Sequence, residues 1–227
     1  MFGPVTTIPL NILKLISAKE IGAGLGVGLL FLTASFLSER FADVLRTYIG
    51  GGGLASMAAY IGTVVGVVLV PFATSLPLIP VAVSIWGGPT AALLTLCAWI
   101  TGASTAFMIA RRFGTKFVSR FVSLEALRQA SALVPRRNLA MGTIFFSMFG
   151  APADILSYAL GLFTHIRAWT AIASFSLGFS VFAFFITYTA TLPIIYQTYM
   201  VGFMLLAWFF MYARLKYNAT QASHMSR

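Results

Sequence analysis

Charge is scarce in this chain: Asp, Glu, Lys and Arg make up 9% of its 227 residues, against 59% hydrophobic residues. A water-soluble domain carries about 25% charged residues, so there is too little polar surface here to build one. From Thr47 to Ala110, and again from Ala168 to Ala213, no Asp, Glu, Lys or Arg occurs. Each stretch holds more than the roughly 20 apolar residues that one membrane span needs. The expected fold is therefore an all-α integral membrane protein, because a helix satisfies its own backbone hydrogen bonds in lipid. Acid is scarcer than base, with 5 Asp+Glu against 15 Lys+Arg. The basic residues lie between apolar segments rather than on one polar domain. They read as orientation signals and contacts to anionic lipid, and nucleic acid is excluded as a partner.

The single cysteine, Cys97, allows no intrachain disulfide and no thiolate cluster, and its place in an apolar run predicts a packed small side chain. His165 and His224 are the 2 histidines, with no HxxxH or Cys/His grouping, so no metal or cofactor is expected. Gly50 to Gly53 lacks the lysine a phosphate-binding loop requires and reads as a hinge. Gly22-Ala-Gly24-Leu-Gly26-Val-Gly28 follows no strand, so close helix packing through Gly24 and Gly28 replaces a dinucleotide reading.

Five segments follow. Residues 1–53 carry a retained first span, Ile21 to Ser38, and a short amphipathic helix from Glu39 to Arg46. Residues 54–114 hold an apolar stretch interrupted by Pro71, Pro77 and Pro80, expected as two arms of about 17 residues, and then a clean span from Pro89 to Ala110 closed by Arg111 and Arg112. Residues 115–138 predict a surface helix with Phe117, Phe121 and Leu124 on its apolar face. Residues 139–192 begin with arms interrupted at Gly150 and Pro152, each too short for about 30 Å of hydrocarbon at about 1.5 Å per residue, and continue into a span. Residues 193–227 supply the last span, Ile194 to Ala213, and a basic tail.

Arg111, Arg112, Lys116, Arg120, Arg128, Arg136 and Arg137 crowd one connection, which the positive-inside bias assigns to the cytoplasm. Both termini are then cytoplasmic, in a plasma membrane of the bacterial inner-membrane kind. The segment 54–88 returns to the outer side, either as a re-entrant hairpin or as two short crossings, and 139–165 is a hairpin from the inside. A broken hairpin followed by a span thus occurs twice with opposite sense. This is a polytopic helical bundle with two opposed re-entrant hairpins in an inverted repeat, with Pro77, Pro80 and Pro152 at the tips.

Leu76-Pro77-Leu78-Ile79-Pro80, Trp86-Gly87-Gly88-Pro89, Gly102-Ala103 and Ala110-Arg111-Arg112-Phe113-Gly114, together with Ala151-Pro152-Ala153-Asp154-Ile155-Leu156-Ser157-Tyr158-Ala159-Leu160-Gly161-Leu162, carry a likeness to a known family. Over roughly residues 50 to 190 the chain resembles the DedA/VTT-domain (SNARE-associated Golgi protein) superfamily, with Gly88, Tyr158 and Gly161 among the signature positions. Phe146 and Phe149 stand where that family places an Arg-x-x-Pro, and the first hairpin has no acidic residue, so the match is closer to the VTT branch than to DedA proper. The resemblance implies a carrier of phospholipid or polyprenyl phosphate between leaflets, often coupled to protons, with no enzyme chemistry.

Asp154 is the only acidic residue after Glu125. A carboxyl within the membrane costs about 2.5 to 3.5 kcal/mol on insertion scales, whereas the helix dipole offsets only about 0.3 to 1 kcal/mol. Asp154 is thus the candidate for transport and proton coupling, with a helix cap as the plain alternative. Arg111, Arg112 and Arg167 are candidates for a lipid phosphate, with interfacial anchoring as theirs. Two other functions stay open: a proton-coupled carrier of a small solute, and a membrane assembly factor that transports nothing.

Overall fold

The computed structural model describes residues 18–48, 53–70, 73–120, 122, 124, 127–128, 131, 134, 138–150 and 153–225, without the side chains of 18–20, 45–46, 48 and 210–225. Among the described residues the chain is helical and has no strand: α1 (Ala18–Arg40), α2 (Ala42–Tyr48), α3 (Leu54–Leu69), α4 (Leu78–Trp86), α5 (Gly88–Val118), α6 (Leu139–Met148), α7 (Ala153–Phe163), α8 (Ala168–Thr191) and α9 (Ile194–Met225). Ile21–Arg40, Gly88–Val118 and Ala168–Thr191 are long and apolar enough to cross a membrane. Their outer faces stay apolar, with Leu29 64% and Trp169 81% exposed. The chain is an integral membrane protein. Its hydroxyl side chains fit that setting: Thr63, Thr101, Thr105, Thr143, Ser174 and Thr187 each donate to the carbonyl four residues earlier, so they expose little hydrogen-bonding need to lipid.

The antiparallel pair α5–α8 is the centre, with Gly88 against Thr191 at one end and Trp99 stacked on Phe182 in the middle, ring centroids 5.5 Å apart. Call the ends of this bundle the Gly88 end and the Arg111 end. Arm α3 runs parallel to α5, since Tyr60 Oη lies 2.7 Å from Thr95 Oγ1 and Val68 packs against Gly102. Chain direction then reverses, and α4 returns to the Gly88 end, where Trp86 meets Tyr60 edge-on at 5.5 Å. Arm α6 runs parallel to α8, with Ile144 and Ser147 against Gly178 and Gly150 against Phe182. It starts from the Arg111 end, and α7 returns there along α5, with Gly161 against Phe107 and Ala110. The outer layer is α1 against α4 and α9, where Gly24 and Gly28 admit Leu205 and Val201 as their spacing predicts.

Four sequence expectations change. The second arm of the first pair is the nine-residue α4, not about 17 residues, because Gly87 at φ 76° stops it. Pro80 sits inside the first turn of α4, where a missing N–H costs no helical bond, rather than in the break itself. Arg111 and Arg112 do not close their helix, since Arg is a good helix former; α5 bends instead at Gly114, φ 68°, and continues to Val118. That bend re-phases the connection: Val118, Val122 and Leu127 are buried, whereas Phe117 stays exposed beside Phe113. Phe121, Arg136, Arg137, the Gly50–Gly52 hinge residues and Pro71 lie outside the described residues.

Candidate functional site

The two broken pairs meet in the interior. The last carbonyls of any helix lack partners within it. Here the carbonyl of Leu69, the final residue of α3, accepts a hydrogen bond of 3.0 Å from the Tyr158 hydroxyl on α7. Tyr158 is 6% exposed, so this bond joins the pair from the Gly88 end to the pair from the Arg111 end out of bulk water. Next to it in the first pair, Ser75 is buried between α3 and α4, and its hydroxyl oxygen accepts from the Trp99 indole at 2.9 Å. Trp99 is itself clamped by Phe179 and Phe182 of α8. The first half-length pair is therefore pinned to the α5–α8 centre by a polar contact of its own, and the second is tied to the first.

Asp154 lies in the first turn of α7, 4% exposed, four residues before Tyr158 and on the same helix face. Its position at a helix start matches the positive end of the helix dipole. Ser157, also buried, donates to the Ala153 carbonyl, so its hydroxyl is turned into its own helix. Pro77 is the residue that caps α4, and Pro152 lies outside the described residues. Gly161 is explained by close approach, because a Cβ there would meet the Phe107 carbonyl oxygen at 2.7 Å. A Cβ at Gly88 would meet the Thr191 methyl at 3.1 Å.

Of the three candidate arginines, Arg111 is engaged: its two terminal nitrogens donate to the carbonyls of Ile166 and Thr164 at 2.7 and 2.8 Å, over the Phe107 ring. The guanidinium thereby holds the α7–α8 turn, using its forked donors on two carbonyls. Arg112 and Arg167 are exposed at the same end, away from Asp154's interior position. Cys97 is exposed on the α5 stripe of Leu93 and Thr101, correcting its packed reading; in a membrane protein an apolar run has an outward face too. Sequence reasoning passed over Gln197, which is 2% exposed and donates to the Leu192 carbonyl at 2.7 Å. Its signal was a lone amide in a charge-free stretch, four residues after Pro193.

No family model, curated protein or solved structure matches this chain.

Proposed function

We propose that the protein moves lipid between leaflets, as a transporter or scramblase of phospholipid or polyprenyl phosphate on the plan of the DedA/VTT superfamily. The supporting observation is the interior meeting of two half-length helix pairs, Tyr158 to Leu69, beside the buried Asp154. Helices of nine to sixteen residues reach about 14 to 24 Å, short of about 30 Å of hydrocarbon, which supports reading each pair as a re-entrant hairpin. The recurrence of arm-on-glycine packing, Val68 on Gly102 and Ser147 on Gly178, supports an inverted repeat. Head groups pass along the polar line where the hairpins meet, while tails stay in lipid, and Asp154 exchanges the coupled proton. The basic Arg111 end is cytoplasmic, as are both termini.

Purified protein in liposomes containing a labelled phospholipid provides the test. Exchange between leaflets faster than in empty liposomes is expected. Uptake of a small solute without lipid exchange would favour the solute carrier instead, and neither would leave an assembly role.

A further inference from the structure

A second polar region lies at the Gly88 end. Between the last turns of α1, the helix α4 and the α8–α9 junction is a cavity of about 240 Å³, lined among others by Ser35, Ser38, Glu39, Ser84, Thr191 and Gln197. That is room for a small head group rather than one water. Its lining is one-sided in chemistry. Ser38 donates its hydroxyl hydrogen bond to the Ser35 carbonyl at 3.0 Å, Ser84 to that of Val81 at 2.8 Å and Thr191 to that of Tyr188 at 2.7 Å. The Ser38 and Thr191 oxygens, with their donors already engaged, face a ligand as acceptors. Gln197 likewise commits its NH₂ to the Leu192 and Ala190 carbonyls, and its Oε1 is buried without a hydrogen-bond partner. Glu39 adds a carboxylate, and among the described residues no basic side chain lines the cavity.

We propose that this cavity binds a protonated primary amine, whose three N–H donors meet Glu39, Gln197 Oε1 and the serine and threonine oxygens. An anion would face a carboxylate and lone pairs. A calcium ion takes six to eight oxygens, usually with several carboxylates, and among the described residues Glu39 is the single carboxylate in the lining. A quaternary ammonium has no N–H to donate and is held by aromatic faces, of which the lining has none. The amine is either the head group of an amino-lipid or a free small amine. This inference stands apart from lipid transport, since it concerns binding to the protein at rest.

The full chain in phosphatidylcholine nanodiscs is unfolded thermally in the presence of ethanolammonium chloride or, at equal ionic strength, choline chloride. A parallel series replaces part of the phosphatidylcholine by phosphatidylethanolamine. Ethanolammonium is expected to raise the unfolding temperature and choline to leave it unchanged. Stabilisation by the phosphatidylethanolamine discs alone assigns the amine to a lipid; stabilisation by free ethanolammonium as well assigns the site to the ammonium group itself. Glu39 is exposed, so Glu39→Gln folds, and it should weaken the response by about tenfold or more, the loss of one charge-assisted hydrogen bond. Equal responses to the two cations, no response in either series, or an unchanged response in Glu39→Gln would each overturn the proposal.

Discussion

In the first broken pair, α3 lies along α5 with Val68 against Gly102; in the second, α6 lies along α8 with Ser147 and Ile144 against Gly178. Val68 and Ser147 are each the last residue but one of their arms. The glycine removes a side chain from the span where the arm's last turn must come close. Beyond this shared contact the pairs diverge. The first has no charged residue anywhere between Thr47 and Ala110 and anchors its turn through Ser75 to Trp99. The second carries Asp154 and reaches across to the other pair through Tyr158. Packing of this kind needs only a small residue at one place on each span, whereas polar chemistry needs particular side chains. Two halves can therefore share a shape with almost no shared residues.

The packing half of that comparison is tested by the largest effect. A Cβ at Gly178 would meet the Ile144 carbonyl oxygen at 2.7 Å, which is backbone and cannot move aside. At Gly102 its nearest contacts are the Cβ and Cγ1 of Val68, both at 2.9 Å. Gly178→Ala should thus destabilise by about 3 kcal/mol and Gly102→Ala by about 1 kcal/mol, the ends of the usual range for overpacking. Denaturation in mixed micelles measures both. Combining Gly102→Ala with Val68→Gly, which removes both contacting atoms, should relieve the clash, while no side-chain truncation rescues Gly178→Ala. Equal costs at the two glycines would break the distinction.

Arg111 gives the next effect. Its two bonds to the α7–α8 turn are hydrogen bonds to a charged group, each worth about 1.5 to 3 kcal/mol in favourable settings. The side chain is exposed, so screening by water brings the expected cost of Arg111→Gln to about 1 to 2 kcal/mol. Hydrogen exchange should rise at residues 164–167 and stay unchanged around Ser75 in the first pair. An increase in both pairs would mean that the end clamp and the interior junction act as one unit.

Asp154 divides the halves chemically. Asp154→Asn keeps a side-chain oxygen that can accept the backbone bonds of a helix start, so folding and insertion should persist. Lipid exchange in liposomes should fall by about tenfold, a difference of about 1.4 kcal/mol in barrier, and lose its dependence on pH. A folded Asp154→Asn protein with parental exchange would reduce Asp154 to a helix cap.

Much of this architecture is legible in the sequence because lipid enforces it. The span Ala168–Thr191 and the break at Gly150 follow from uninterrupted apolar runs and from residues that cannot continue a helix. Asp154 is legible as a lone acid in such a run, next to a break. What escapes is what a single glycine decides: Gly87 shortens α4, and Gly114 turns Val118, rather than Phe117, inward. Exposure of Cys97 escapes for a different reason, since apolar residues face both lipid and core, and hydropathy cannot separate them. The contact between Tyr158 and Leu69 spans 89 positions and involves a backbone carbonyl, so no periodicity announces it.

That contact also supplies the smallest effect and the sharpest version of the comparison, because the chain offers a matched control. Tyr60 and Tyr158 each make one part-buried hydroxyl bond, Tyr60 with Thr95 on the neighbouring α5 and Tyr158 to the end of α3. Phenylalanine at either place removes one hydrogen bond and keeps the ring, so each substitution should cost about 1 kcal/mol of stability. They differ in what is left behind. Tyr60→Phe leaves the Thr95 hydroxyl, which can turn to its own helix carbonyl as other threonines here do. Tyr158→Phe leaves the Leu69 carbonyl, a helix-end acceptor that cannot turn, and removes a direct polar link between the pairs. If head groups pass where the pairs meet, Tyr158→Phe should change the lipid exchange rate severalfold while Tyr60→Phe leaves it within error, at equal loss of stability. Exchange rates that track stability alike in both variants would show that the junction holds the fold together and takes no part in the passage of lipid.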